Sequence, residues 1–171
     1  TNDNKLAEKI RMIVNHGENK KYHHKIIGCN SRLDSIQAVI LNIKLKYLDN
    51  YNSTRRIMAD NYNKAFQNIN NLQTPIKIDN STHVYHQYTL KVLNGKRNEL
   101  KEYLQKNKIP TMIYYPIPLY KQEAFSNYVD SNYYLKNTEE LSKNVLSLPI
   151  HTEIENSSQD FIIEKVLDFF K

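Results

Sequence analysis

Six histidines and a single cysteine are the side chains of this sequence best suited to chemistry. His23 and His24 are adjacent, and His83 and His86 stand three apart. If 83–92 is a strand, residues i and i+3 face opposite sides and chelate poorly. No HExxH pattern or carboxylate cluster accompanies them, so no metal site is expected. Cys29 has no partner for a disulfide or a cysteine-rich zinc site, and reads as a buried packing thiol. There is no GxSxG, P-loop or GxGxxG, and three glycines leave little material for a phosphate-cradling loop. From the residues alone the reading is a soluble α+β domain.

The elements that must position any site follow from periodicity. Asp3 is placed to cap a short helix carrying Leu6, Ile10 and Ile13 on one face, stopped by His16-Gly17. Residues 18–28 are polar and read as a loop. Ser31 or Asn30 is placed to cap a second helix, with Asp34 favoured near its positive end. Leu33, Ile36, Ile40, Ile43 and Tyr47, then Tyr51, Met58, Tyr62 and Ala65, predict one long helix over 32–70, weakened near the asparagines of 49–52. Beyond Pro75 the pattern changes. It predicts a strand over 83–92, a turn at Asn94-Gly95 and a helix over 97–107 with Leu100 and Leu104 inward. A second strand over 109–113, an irregular loop from Tyr114, a helix over 132–144 and a short buried strand over 145–149 follow. A final helix opens on a Ser157-x-x-Asp160 box. The fold class is therefore α+β: a long N-terminal helical part over 1–74, leading into a small domain over 75–171 with about three strands flanked by helices.

Composition narrows the partners. The net charge of +6, from 24 basic and 18 acidic residues, is spread along the chain rather than gathered in a block. No nucleic-acid partner is expected, although a mildly positive field suits an anionic substrate. No apolar run approaches a membrane span, and no signal-peptide core is present. With one cysteine, the cytoplasm is the expected compartment. The missing initiator methionine and the capping pattern at the start suit a piece of a longer protein.

One run carries more than its periodicity. His16-Gly17, followed by Gly28-Cys29-Asn30-Ser31-Arg32-Leu33-Asp34-Ser35-Ile36-Gln37-Ala38, resembles the "HG … G-x-N-x-R-x-D-x-x-Q-A" segment of the DegT/DnrJ/EryC1/StrS family of PLP-dependent sugar aminotransferases. The segments YHQYTLKV, YYPIPLYKQEAF and VLSLPIH resemble later stretches of the same family in the same order, including its "YP-x-PLH-x-Q-x-A" loop. The resemblance covers nearly the whole chain.

It implies the C-terminal portion of a fold-type I enzyme that works as a homodimer. With PLP, such an enzyme moves an amino group, usually from glutamate, onto a nucleotide-linked keto-sugar. The catalytic lysine is implied to lie before residue 1, so no catalytic residue is assigned here, and this piece is expected to be inactive and to bind no PLP. Asn30 matches the asparagine that reaches the PLP phosphate of the other subunit, its amide serving as donor; a plain helix cap is the alternative. Arg32 matches an arginine of the same motif, supporting the anionic site, the substrate carboxylate or an interface salt bridge. Tyr115, Tyr114 and Tyr120 fall in the substrate-side loop, and relatives often carry histidine at the place of Tyr114 or Tyr120. Surface-polysaccharide synthesis is the expected setting. Residues 33–65 should self-associate through their apolar stripe. The rival reading is a non-enzymatic interaction or regulatory domain with the same fold.

Overall fold

The fold is seen in a computed structural model that describes residues 1–130 and 133–171. The chain is α+β and divides into two compact units, Thr1–Leu48 and Asp49–Lys171.

In the first unit, helix α1 (Asn4–Val14) is capped by the Asp3 carboxylate, which accepts from the amides of Lys5 and Leu6. Left-handed His16 (φ 58°) and Gly17 (φ 80°) then reverse the chain. The expected loop over 18–28 contains a small hairpin instead, β1 (Glu18–Lys20) against β2 (His23–His24). The cap of α2 (Ser35–Leu45) is Asp34 and neither Asn30 nor Ser31. Its Oδ1 accepts from the amides of Ile36 at 2.7 Å and Gln37 at 3.4 Å. Asn30 is held elsewhere, as described below. Neither helix of this unit has a buried residue. Ile36, Val39, Ile40 and Ile43 are all about half exposed or more.

The single helix expected over 32–70 is two, α2 and α3 (Leu48–Phe66), separated at Lys46-Tyr47. The asparagines at 50 and 52 do not break α3. Their propensity cost is about 0.5 kcal/mol each, and the same helix buries Met58, Ala59, Tyr62 and Phe66. Packing outweighs propensity there. The helix stops at Phe66, four residues short of expectation, where asparagine-rich turns lead into β3 (Leu72–Gln73).

The second unit is built on an antiparallel sheet of order β3-β4-β5, with β4 (Tyr88–Val92) central and β5 (Val145–Leu148) buried at every position. Strand β4 is half the length expected. Tyr85 is left-handed (φ 48°), which no strand accommodates, and its amide donates to His83 Nδ1 at 2.9 Å. The predicted strand over 109–113 reduces to one bridge, Met112 to Ser147, because Pro110 has no amide to donate. Helix α4 (Arg97–Lys106) places Leu100 and Leu104 fully inside, as its spacing predicts. Helix α5 (Lys136–Asn144) starts later than the expected 132, and Asn132 itself lies outside the described residues. Helix α6 (Asn156–Phe170) begins one residue before Ser157, so the predicted box does not form; Glu155 stands at the cap with no side-chain bond.

One core joins these elements. Tyr62, Phe66, Tyr88, Leu90, Leu100, Leu104, Leu146 and Val166 are essentially inaccessible. Two buried polar side chains are satisfied rather than stranded. Gln159 on α6 donates to the Met58 carbonyl at 2.8 Å and accepts from Asn61 at 3.1 Å, tying α6 to α3. Arg97 donates to the carbonyls of Ser142 and Val145 at 3.2 and 3.1 Å, a cation placed at the negative end of α5.

Candidate functional site

The candidate residues fall into two sets, one in each unit. In the first, two stretches of backbone run side by side. His16 N–H donates to Cys29 O (3.0 Å), Cys29 N–H to Ile13 O (2.8 Å) and Ser31 N–H to Val14 O (2.9 Å), and Asn15 and Asn30 form an antiparallel bridge. Glycines allow this approach. A Cβ on Gly28 would stand 2.3 Å from Gly17 N and 2.6 Å from Ile13 O.

On this platform Asn30 Oδ1 accepts from Arg32 Nε at 3.1 Å, and Arg32 Nη1 donates to Asn15 Oδ1 at 3.2 Å. Asn15 Nδ2 donates to Glu18 Oε2 at 3.1 Å. The Asn30 carbonyl is thus fixed by the guanidinium, while its NH2 has no hydrogen-bond partner among the described residues. Both side chains are exposed. An amide donor beside a guanidinium with spare N–H groups is a donor set that suits a phosphate or carboxylate. Asn15 was not singled out by sequence reasoning. Its role depends on a contact seventeen residues away, which no local pattern encodes. Cys29 is exposed, not a buried packing residue, because the backbone pairing holds it at the outer side of the turn.

The second set surrounds a cavity of about 540 Å³, lined by Tyr114, Tyr115, Pro116, Leu119, Gln122 and, from α5, Thr138, Leu141 and Ser142. Tyr115 is 72% exposed and Tyr114 37%, their rings edge to face at 5.7 Å. Tyr114 also borders a smaller cavity of about 260 Å³ with His86, Gln87 and Met112.

Tyr120 is not part of either wall. Its hydroxyl donates to Glu139 Oε1 and accepts from the Leu135 amide at 3.4 Å. Lys121 Nζ pairs with the same carboxylate oxygen. Glu139 is only 5% exposed. Lys121, then Tyr120, hold its carboxyl below the usual carboxylate range, and Glu139 in turn raises the Lys121 ammonium. The Glu139 contribution to stability is therefore present above about pH 4.3 and lost as pH falls through its lowered value. That of Lys121 is present below about pH 10.4 and lost as pH rises through its raised value. Glu139 was not a sequence candidate, since a glutamate on a charged helix reads as solvated.

Among the described residues no group of three or more His, Cys, Asp or Glu side chains could hold a metal ion, and no helix is long and apolar enough to cross a membrane.

An α+β chain with these motifs in this order defines an aminotransferase-type fold. Residues 1–167 match the DegT/DnrJ/EryC1/StrS aminotransferase family, and the chain belongs to it. It is 39% identical to a "Pleiotropic regulatory protein" of Geobacillus stearothermophilus, over all of this chain and 46% of that protein. It is 37% identical to a dTDP-3-amino-3,6-dideoxy-alpha-D-galactopyranose transaminase of Aneurinibacillus thermoaerophilus, over 97% of this chain and 44% of the relative. The crystal structure of S. venezuelae DesV in complex with a ketimine intermediate superposes with a TM-score of 0.91 at 32% identity, covering this chain fully and 46% of that one. The chain spans a little under half the length of the relatives it matches.

Proposed function

We propose that this chain is the C-terminal part of a PLP-dependent aminotransferase that transfers an amino group, from glutamate, to a nucleotide-linked keto-sugar in the cytoplasm. The observation that carries the reading is the Asn30–Arg32–Asn15 arrangement, which leaves one amide NH2 unpaired among the described residues, beside a cation on an exposed, glycine-dependent turn. Asn30 would donate that NH2 to the PLP phosphate of a partner subunit. Arg32 orients the Asn30 amide and adds positive charge for the phosphate or for a substrate carboxylate. When bound, PLP supplies the electron sink and carries the amino group. The hydroxyls of Tyr115 and Tyr114 offer the sugar hydrogen bonds across the cavity mouth. Tyr120 serves the sugar only indirectly, by holding the loop.

No lysine of this chain is assigned the covalent role. Mixed with PLP, the chain is expected to develop no absorption band near the visible edge that borohydride abolishes. Such a band would place that role on one of its own lysines and overturn the assignment.

The exposed apolar residues of α2 support a second element of the proposal, a homodimer in the whole enzyme. A helix that is apolar around most of its circumference is ordinarily covered. The isolated chain is accordingly expected to self-associate through the exposed apolar residues of 33–48, while Met58, Ala59 and Tyr62, part of the stripe expected over 33–65, are taken up by the core of the second unit. Light scattering that shows only monomer at high concentration would rule this out.

A non-enzymatic regulatory domain is a second reading, favoured by the similarity to the Geobacillus pleiotropic regulatory protein. The reading frame that carries this chain discriminates: a lysine-bearing cofactor domain upstream of it favours the enzyme.

A further inference from the structure

The wall of the 540 Å³ cavity has little holding it. Residues 114–118 make no pairing with the sheet, and Tyr115, Pro116, Ile117 and Leu119 are all exposed; of this stretch only Pro118 is buried. Such a segment is expected to open locally at low cost unless something fastens it.

The fastening lies just past the wall. Two 3-10 turns, Leu119–Lys121 and Glu123–Phe125, continue the loop, and the first is closed by Lys121 N–H to Pro118 O at 2.9 Å and Gln122 N–H to Leu119 O at 3.1 Å. Whatever holds Tyr120 and Lys121 therefore also holds Pro118 and Leu119. Both side chains converge on one oxygen of Glu139, a carboxylate almost entirely withdrawn from water. Tyr120 is further fixed by the Leu135 amide and by edge-to-face packing on Tyr133 at 5.5 Å. Glu139 sits one residue from Thr138 and two from Leu141, which form the facing wall. A buried carboxylate is tolerated only with its partners in place, so the three groups hold or fail together.

We propose that Glu139 is the positioning residue of the cavity: by clasping Tyr120 and Lys121 it sets the distance between the 114–122 loop and α5, and so the shape offered to a sugar. The inference deepens the proposed function and rests on it for the identity of the occupant. Glu139 touches no substrate and acts only through the loop.

The test has two arms. In the first, hydrogen exchange is followed on the full chain for Glu139→Ala, Glu139→Gln and Tyr120→Phe. Peptides spanning 114–130 should exchange at least about tenfold faster in E139A, which corresponds to about 1.4 kcal/mol of local opening. The change should be smaller in E139Q, which can still accept from Tyr120, and in Y120F, which keeps the ion pair. Peptides of β4 and β5 should be unaltered. Loop exchange that does not change, or that rises only together with β4 and β5, overturns the clasp. Y120F removes a single oxygen and keeps the test decisive if E139A does not fold. In the second arm, the same substitutions in the whole aminotransferase should raise KM for a dTDP-sugar substrate several-fold while kcat is largely kept. A loosened loop with an unmoved KM overturns the cavity as the sugar's site, and with it that part of the proposed function, while leaving the loop anchoring itself demonstrated by exchange.

Discussion

Replacing Tyr62 with alanine is expected to cost the second unit about 3–5 kcal/mol, as for a large buried aromatic truncated to a methyl. Tyr62 is fully buried on α3, stacked on Phe66 at 5.7 Å and tilted against Tyr88 at 4.8 Å. Its hydroxyl also donates to the Pro149 carbonyl at 3.0 Å, joining α3 to the end of β5. Tyr62→Phe separates the two contributions. It keeps the ring and removes one hydrogen bond, for about 1 kcal/mol. Urea unfolding measures both, and equal losses for the two variants would show that the ring is not the centre of this core. Burial pushes the Tyr62 and Tyr88 hydroxyls above the ordinary tyrosine value. The neutral form is therefore favoured in the folded chain. That stability is fully present below about pH 10 and is lost as pH rises toward the raised values, a fall that Tyr62→Phe should lessen.

The second large effect belongs to the first unit. Gly28→Ala is expected to open the turn that carries Asn30. The added Cβ would meet backbone on three sides, Gly17 N, Ile13 O and the His16 carbonyl carbon, all within 2.8 Å. None of these is a flexible side-chain end, so the two stretches of backbone must part. The three bonds from His16, Cys29 and Ser31 would be lost together. At about 1 kcal/mol each, the local cost is about 3 kcal/mol, roughly a hundredfold loss of protection in hydrogen exchange over 28–31. The unfolding midpoint of the second unit should not move. Gly95→Ala is the control. Unlike Gly28 it has a positive φ, of 73°, but nothing lies within 4 Å of the new Cβ, so it should show backbone strain without displacement. If G28A leaves 28–31 protected, the close approach is not what holds Asn30 in place.

Local chemistry was readable where it depends on neighbours in sequence. Asp3 caps α1 as its position predicts, Asn94 and Gly95 turn with φ of 59° and 73°, and Leu100 and Leu104 face inward. These outcomes depend on spacings of two to four residues. Strand lengths were overestimated at 83–92 and 109–113. A left-handed Tyr85 and an amide-less Pro110 interrupt the pairing, and only Pro110 is visible in sequence.

By itself the sequence determined the family, through motifs kept in order along almost the whole chain, and it determined the residue types that such motifs need, Asn30 and Arg32 among them. The tertiary structure decided what those residues do to one another. It made Asp34 the helix cap and so freed Asn30. It brought Asn15 from the end of α1 to hold Arg32, and it turned Tyr120 from a candidate substrate contact toward Glu139. The physical reason is the same for Arg32 and for Tyr120. A side chain's partner is set by which backbones approach closely, and those approaches join residues 17 to 19 positions apart, beyond the reach of any helical or strand period.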